Sequence, residues 1–162
     1  MKVAIRLIAF LVSNFLALGV GGLLMGNGPS SDWYLQLNKA PWTPPGWVFG
    51  VAWTTVMLCF TAYMALGWSE LSDKKRWITL YTIQWVLNVS WNPLFFRYHH
   101  VGAALVVIIL LTILIAWFLF GYCSRLRVKS VFILPYFLWL MVATSLNAVS
   151  YTHLTLPTIL RV

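Results

Sequence analysis

Hydrophobic residues make up 61% of the 162 and charged ones only 9%, with a mean hydropathy of +0.84. A soluble domain carries about 25% charged residues, so lipid is the solvent of this chain, and the length suits one domain. The net charge of +8 comes from 11 basic and 3 acidic residues. The basic ones fall in the gaps between apolar runs, which points to membrane topology and anionic headgroups and away from nucleic acid.

Five apolar runs follow one another: about residues 5–25, 47–67, 77–96, 101–122 and 131–150. Each holds roughly 20 residues, which at ~1.5 Å per residue crosses a hydrocarbon core of ~30 Å. Runs near ten residues would instead suit barrel strands. The expected fold is therefore all-α, a five-transmembrane-helix bundle.

The first run follows Lys2 and Arg6 as a secretory signal would, but it is too long for one and no Ala-x-Ala-like site follows. It reads as a retained helix, and Ser13, Ala17 and Gly21, with Gly22 and Gly26, suit close packing or dimerisation. Residues 27–46 (NGPSSDWYLQLNKAPWTPPG) form a long loop rich in proline and aromatics. On the second run Gly50, Trp53, Met57 and Thr61 share a face. On the third, Trp77, Tyr81, Gln84, Asn88 and Trp91 recur at spacings of 4, 3, 4 and 3, one helical stripe. The fifth repeats the pattern with Tyr136, Trp139, Ala143 and Asn147. The segments 68–76, 97–100 and 123–130 are short, so consecutive helices should be antiparallel neighbours.

Lysine and arginine set the orientation. Lys2, Arg6, Lys74, Lys75, Arg76, Arg125, Arg127 and Lys129 lie on the N-terminal side, and Lys39, Arg97 and Arg161 on the other. The positive-inside rule puts the N-terminus in the cytoplasm of a bacterial cell membrane and the long loop outside; an organellar outer membrane would be the other setting.

Asp32, Glu70, Asp73, His99 and His100 all lie in loops, and no span carries an ionisable residue in its middle. Coupled ion transport usually needs such residues, and no Ser-His-Asp, Cys-His or paired-carboxylate set can be assembled inside the membrane. The histidine pair lacks a third ligand, so no metal is expected. Cys59 and Cys123 read as free thiols.

What remains is aromatic and neutral-polar. Among ten tryptophans, Trp68, Trp77 and Trp117 suit an interfacial belt, whereas Trp53, Trp91 and Trp139 lie inside spans. Amides in lipid are costly without partners, so the stripes should face the interior. They fit either helix–helix contacts or a flat apolar pocket with a few polar edges.

Three motifs narrow this. Trp33-Tyr34-x-x-Leu37-x-Lys39 leads to Trp42-Thr43-Pro44-Pro45-x-Trp47-Val48-Phe49-Gly50 and Trp53-Thr54. Gln84-x-x-Leu87-Asn88-x-x-Trp91-x-Pro93-x-Phe95-Phe96 is second, and Pro135-Tyr136-x-x-Trp139, with Ala143 and Leu146-Asn147, is third. From about residue 5 to 150 the chain resembles the TspO/MBR family of tryptophan-rich sensory and translocator proteins. The resemblance implies a bundle, usually a homodimer, with the first loop as a lid over a pocket for tetrapyrroles such as protoporphyrin IX, sterols or synthetic drugs. It implies no obligatory cofactor, with porphyrin as ligand rather than prosthetic group. Its pocket positions carry over to Tyr34, Trp42, Trp53, Gln84, Asn88, Trp91, Trp139, Ala143 and Asn147.

The function implied is a membrane receptor or sensor. Light- or oxygen-dependent porphyrin breakdown, with Trp53 and Trp139 as redox participants, and translocation of porphyrin or sterol are the alternatives. The chain departs from the family in Lys39-Ala40-Pro41-Trp42, in Gly50-Val51-Ala52-Trp53 and in Thr61, where many relatives carry glycine. Residues 151–162 do not resemble the family's terminus and are assigned no role.

Overall fold

The computed structural model describes residues 2–159, with side chains through residue 155; Arg161, used in the charge reading, lies outside them. Among the described residues six α-helices follow in order: α1 (Lys2–Leu24), the short α2 (Asp32–Gln36), α3 (Gly46–Glu70), α4 (Lys74–Asn92), α5 (Val101–Leu126) and α6 (Leu134–Ile159). Among the described residues there are no strands. Packing of α1 on α3 and α4, α3 on α6, α6 on α5 and α5 on α4 closes the five long helices into a ring.

Three stretches are long and apolar enough to cross a membrane: Lys2–Ser30, Gly46–Glu70 and Val101–Thr155, the last holding both α5 and α6. The chain is an all-α membrane protein built as a five-helix bundle. The helix α4 is the least apolar of the long ones, because it opens on Lys74, Lys75 and Arg76 and carries the Gln84–Asn88 stripe. That stripe turns inward: Trp77, Tyr81, Gln84 and Asn88 are all buried.

Local chemistry sets the helix ends. Asp73 caps α4 by accepting from the Arg76 backbone N–H at 2.9 Å, and Ser31 caps α2 through the Tyr34 N–H. At the far end of α4 the Asn92-Pro93 step ends the α-helix, and Pro93–Arg97 continues as a π-helical turn. Between α5 and α6, Arg127–Ile133 is a 3-10 helix, which α3 packs against.

The core is aromatic. Phe60 stacks on Tyr81 at 5.9 Å and meets Phe118 and Tyr136 edge-on. Trp77 belongs to this core rather than to an interfacial belt: it is fully buried, and its indole N–H donates to the Met64 carbonyl at 3.2 Å. Gly67 makes room for it, since a Cβ there would stand 2.4 Å from Trp77 Cζ2. Trp117, by contrast, is exposed.

A buried polar chain ties α1 to both of its neighbours. The Tyr81 hydroxyl donates to Asn14 Oδ1 at 2.8 Å, and Asn14 Nδ2 donates to Thr61 Oγ1 at 2.9 Å. Thr61 in turn donates to the Met57 carbonyl at 2.8 Å. Thr61 on α3 thus supplies the acceptor that α1 needs, a role invisible in its spacing alone. Close approach of α1 to α4 also depends on Gly21, whose Cβ would lie 2.7 Å from Asn92 Nδ2.

Candidate functional site

The first loop folds onto one end of the ring. Gly26 and Gly28 take positive φ values of 65° and 47°, turning the chain out of α1 and into α2. The lid helix then rests on the end of α4: Tyr34 lies 5.3 Å from Phe96, and Trp33 meets Phe95 edge-on at 5.7 Å. His99, at the corner before α5, stacks on Trp33 at 4.0 Å. Lys39 Nζ lies 4.3 Å from the Tyr34 ring centroid. Burial raises the Tyr34 phenol above its ordinary pKa.

Beneath this lid lies a cavity lined by Tyr34, Lys39 and Thr43 from the loop, Phe49 from α3, and Trp91, Phe95 and Phe96 from α4 and its π turn. Ala143, Leu146, Asn147 and Ser150 of α6 complete it. Its volume is about 40 Å³, room for two or three waters. Four of the residues expected in a pocket therefore meet here: Tyr34, Trp91, Ala143 and Asn147.

Trp53, Gln84 and Trp139 form a second layer, further from the lid. Trp139 touches Phe49 edge-on at 5.3 Å, so the two layers are continuous through that ring. Trp53 is 6.4 Å from Trp139 and 6.1 Å from Tyr136, both near perpendicular. Gln84 Nε2 donates to the Tyr136 hydroxyl at 2.7 Å. Asn88 is buried between Gln84 and Trp91 on the same helix face.

Trp42 stands apart. It is 56% exposed, and its indole N–H donates to Ser145 Oγ at 3.2 Å, pinning the loop to the outside of α6. Phe49, Phe95, Phe96, Leu146 and Ser150 line the cavity without having been singled out as pocket residues from their spacing. The signal existed: Phe95 follows Trp91 by one turn, and Ser150 continues the Ala143–Asn147 stripe at helical spacing.

The polar groups at this site are distinctive. Asn147 is 2% exposed, and neither its Nδ2 nor its Oδ1 has a hydrogen-bond partner among the described residues. Trp91 Nε1, Trp139 Nε1 and Gln84 Oε1 are likewise buried and unpartnered. Orphaned buried polar atoms are rare and costly, and here they concentrate on the facing sides of α4 and α6. No group of three or more His, Cys, Asp or Glu side chains gathers among the described residues, so these donors and acceptors are neutral amides and indoles. They can orient a polar edge, and they offer no proton of ordinary acidity.

The family model for TspO/MBR matches residues 9–152. The chain is 30% identical over 151 residues to the tryptophan-rich protein TspO of Chlorobaculum tepidum, covering 91% of this chain and 95% of that one. It is 31% identical over 149 residues to the protein of the same name in Archaeoglobus fulgidus, again covering 91% and 95%. To the human translocator protein it is 34% identical over 130 residues, covering 75% of this chain and 74% of the relative. With the family pattern running through all five long helices, the chain belongs to the TspO/MBR family.

Proposed function

We propose that this protein is a membrane receptor, or sensor, for a flat lipophilic ligand of the tetrapyrrole or sterol kind, held beneath the first loop. The observation that carries the reading is Asn147: a buried amide that lines the cavity with both polar atoms unpartnered. A ligand's carbonyl, carboxylate or pyrrole edge would supply the missing partner, and its apolar face would be buried against Trp91, Phe49 and Trp139. Such burial contributes about 25 cal/mol per Å² removed from water.

The cavity's small volume bears on mechanism. A macrocycle does not fit into about 40 Å³, so binding requires the Tyr34 lid and the Trp91 and Phe49 rings to move apart. Lid opening then sets the exchange rate of the ligand. The name of the human relative, translocator protein, agrees with a site that takes up and releases a molecule. The charge pattern supports a cell membrane with the N-terminus in the cytoplasm.

The test is a protoporphyrin IX titration followed by tryptophan quenching in detergent or nanodiscs. Trp139→Ala and an Ala143→Phe change that fills the cavity should each weaken binding at least tenfold. Unchanged affinity in both would reject the site.

A further inference from the structure

The end of the bundle opposite the lid carries Lys2, Arg6, Lys74, Lys75, Arg76, Arg125, Arg127 and Lys129 against only Glu70 and Asp73. Both acids are engaged. Glu70 is ion-paired with Lys129, and Asp73 caps α4. Arg6 Nη1 donates to Ser69 Oγ at 2.9 Å, and Lys74 donates to the carbonyls of Trp68 and Leu71. Among the described residues, Lys2, Lys75, Arg76, Arg125 and Arg127 have no carboxylate partner. So many unpaired like charges at one end call for anions from outside the chain.

Arg76 shows where such an anion would sit. It is exposed at the first turn of α4, and its guanidinium carbon lies 5.8 Å from the centroid of Trp117 on α5. Trp117 is 51% exposed, and Ile113 and Phe120, about a turn to either side, are 60% and 70% exposed. A planar cation thus stands beside Trp117, with Ile113 a turn deeper along a face that looks out of the bundle. A guanidinium presents a fork matched to phosphate oxygens, and the exposed apolar surface of Trp117 and Ile113 suits an acyl chain. A soluble phosphate would use the first feature and leave the second bare.

We infer that Arg76 and Trp117 form a binding site for an anionic phospholipid, with the headgroup phosphate on the guanidinium and one acyl chain along Trp117 and Ile113. The neighbouring unpaired cations favour lipids of net negative charge over zwitterionic ones. This site lies at the opposite end from the lid cavity and does not depend on what that cavity binds.

The test is native mass spectrometry of the purified protein with phosphatidylglycerol and phosphatidylcholine at equal concentration. The wild type should retain phosphatidylglycerol severalfold better. Arg76→Gln should lower that retention roughly fivefold, the effect of removing one cation near a headgroup. Trp117→Leu, at an exposed position where folding is not at stake, should also lower phosphatidylglycerol retention. Equal retention of the two lipids by the wild type overturns the inference, as does full phosphatidylglycerol retention by Trp117→Leu. Displacement of the lipid by inorganic phosphate at matched concentration would mark a free-phosphate site and overturn the lipid assignment.

Discussion

Gln84 on α4 and Tyr136 on α6 meet across the middle of the ring, with the amide Nε2 donating to the phenol oxygen over 2.7 Å. The contact joins two helices on opposite sides of α5 and forms the floor beneath Trp53 and Trp139. Gln84 Oε1 has no partner among the described residues, so this bond meets only half of the amide's needs. Tyr136→Phe should cost about 1–3 kcal/mol, the penalty of leaving a buried donor unmade. Adding Gln84→Leu should recover most of that loss, as thermal unfolding in detergent would show.

Gly67 offers a steric test of the aromatic core. A methyl group there would stand 2.4 Å from Trp77 Cζ2, and both residues are buried. Overpacking of this kind costs about 1–3 kcal/mol. Gly67→Ala should lower the melting temperature, and Trp77→Phe in the same chain should partly restore it by shortening the ring.

The Tyr81–Asn14–Thr61 chain holds α1 to the ring. Thr61→Val keeps the shape but removes the acceptor for Asn14 Nδ2, so it should destabilise by about 1–3 kcal/mol. Asn14→Leu strands the partners on two helices and should cost more. Equal melting temperatures for Thr61→Val and wild type would show that the chain contributes nothing to stability.

Tyr34 gives the lid a pH dependence. Burial raises its pKa above the ordinary value of about 10, so the protein favours the neutral phenol. The stabilisation is fully present below that ordinary value and is lost as pH rises through the higher folded value. Lid closure should therefore weaken in alkaline solution, seen as faster ligand exchange or greater Trp33 exposure above about pH 10. In Tyr34→Phe this alkaline step should vanish.

Much of this fold was legible because lipid imposes simple rules. Five runs of about twenty apolar residues have few alternatives to helices, and the Gln84–Asn88 stripe pointed inward because amides are costly in lipid. What escaped was pairing between helices. Spacing marks which residues share a face but not which face meets which, so Asn14 did not reveal Thr61 and Tyr81 as its partners. Trp77 looked interfacial because it opens an apolar run next to three basic residues; only the gap at Gly67 shows why it turns inside. Trp42 belongs to the lid but bonds the outer side of α6, a position that loop sequence does not fix.

In the proposed receptor, Asn147 serves the ligand at the expense of the fold. Asn147→Leu, nearly isosteric, removes two buried unpartnered atoms and should raise stability by about 1–3 kcal/mol. The same change should weaken protoporphyrin IX binding at least tenfold. Melting temperature and porphyrin affinity measured on that one variant separate a ligand-binding role for Asn147 from a structural one. A higher melting temperature with lost affinity is the predicted result; a lower melting temperature with unchanged affinity would contradict it.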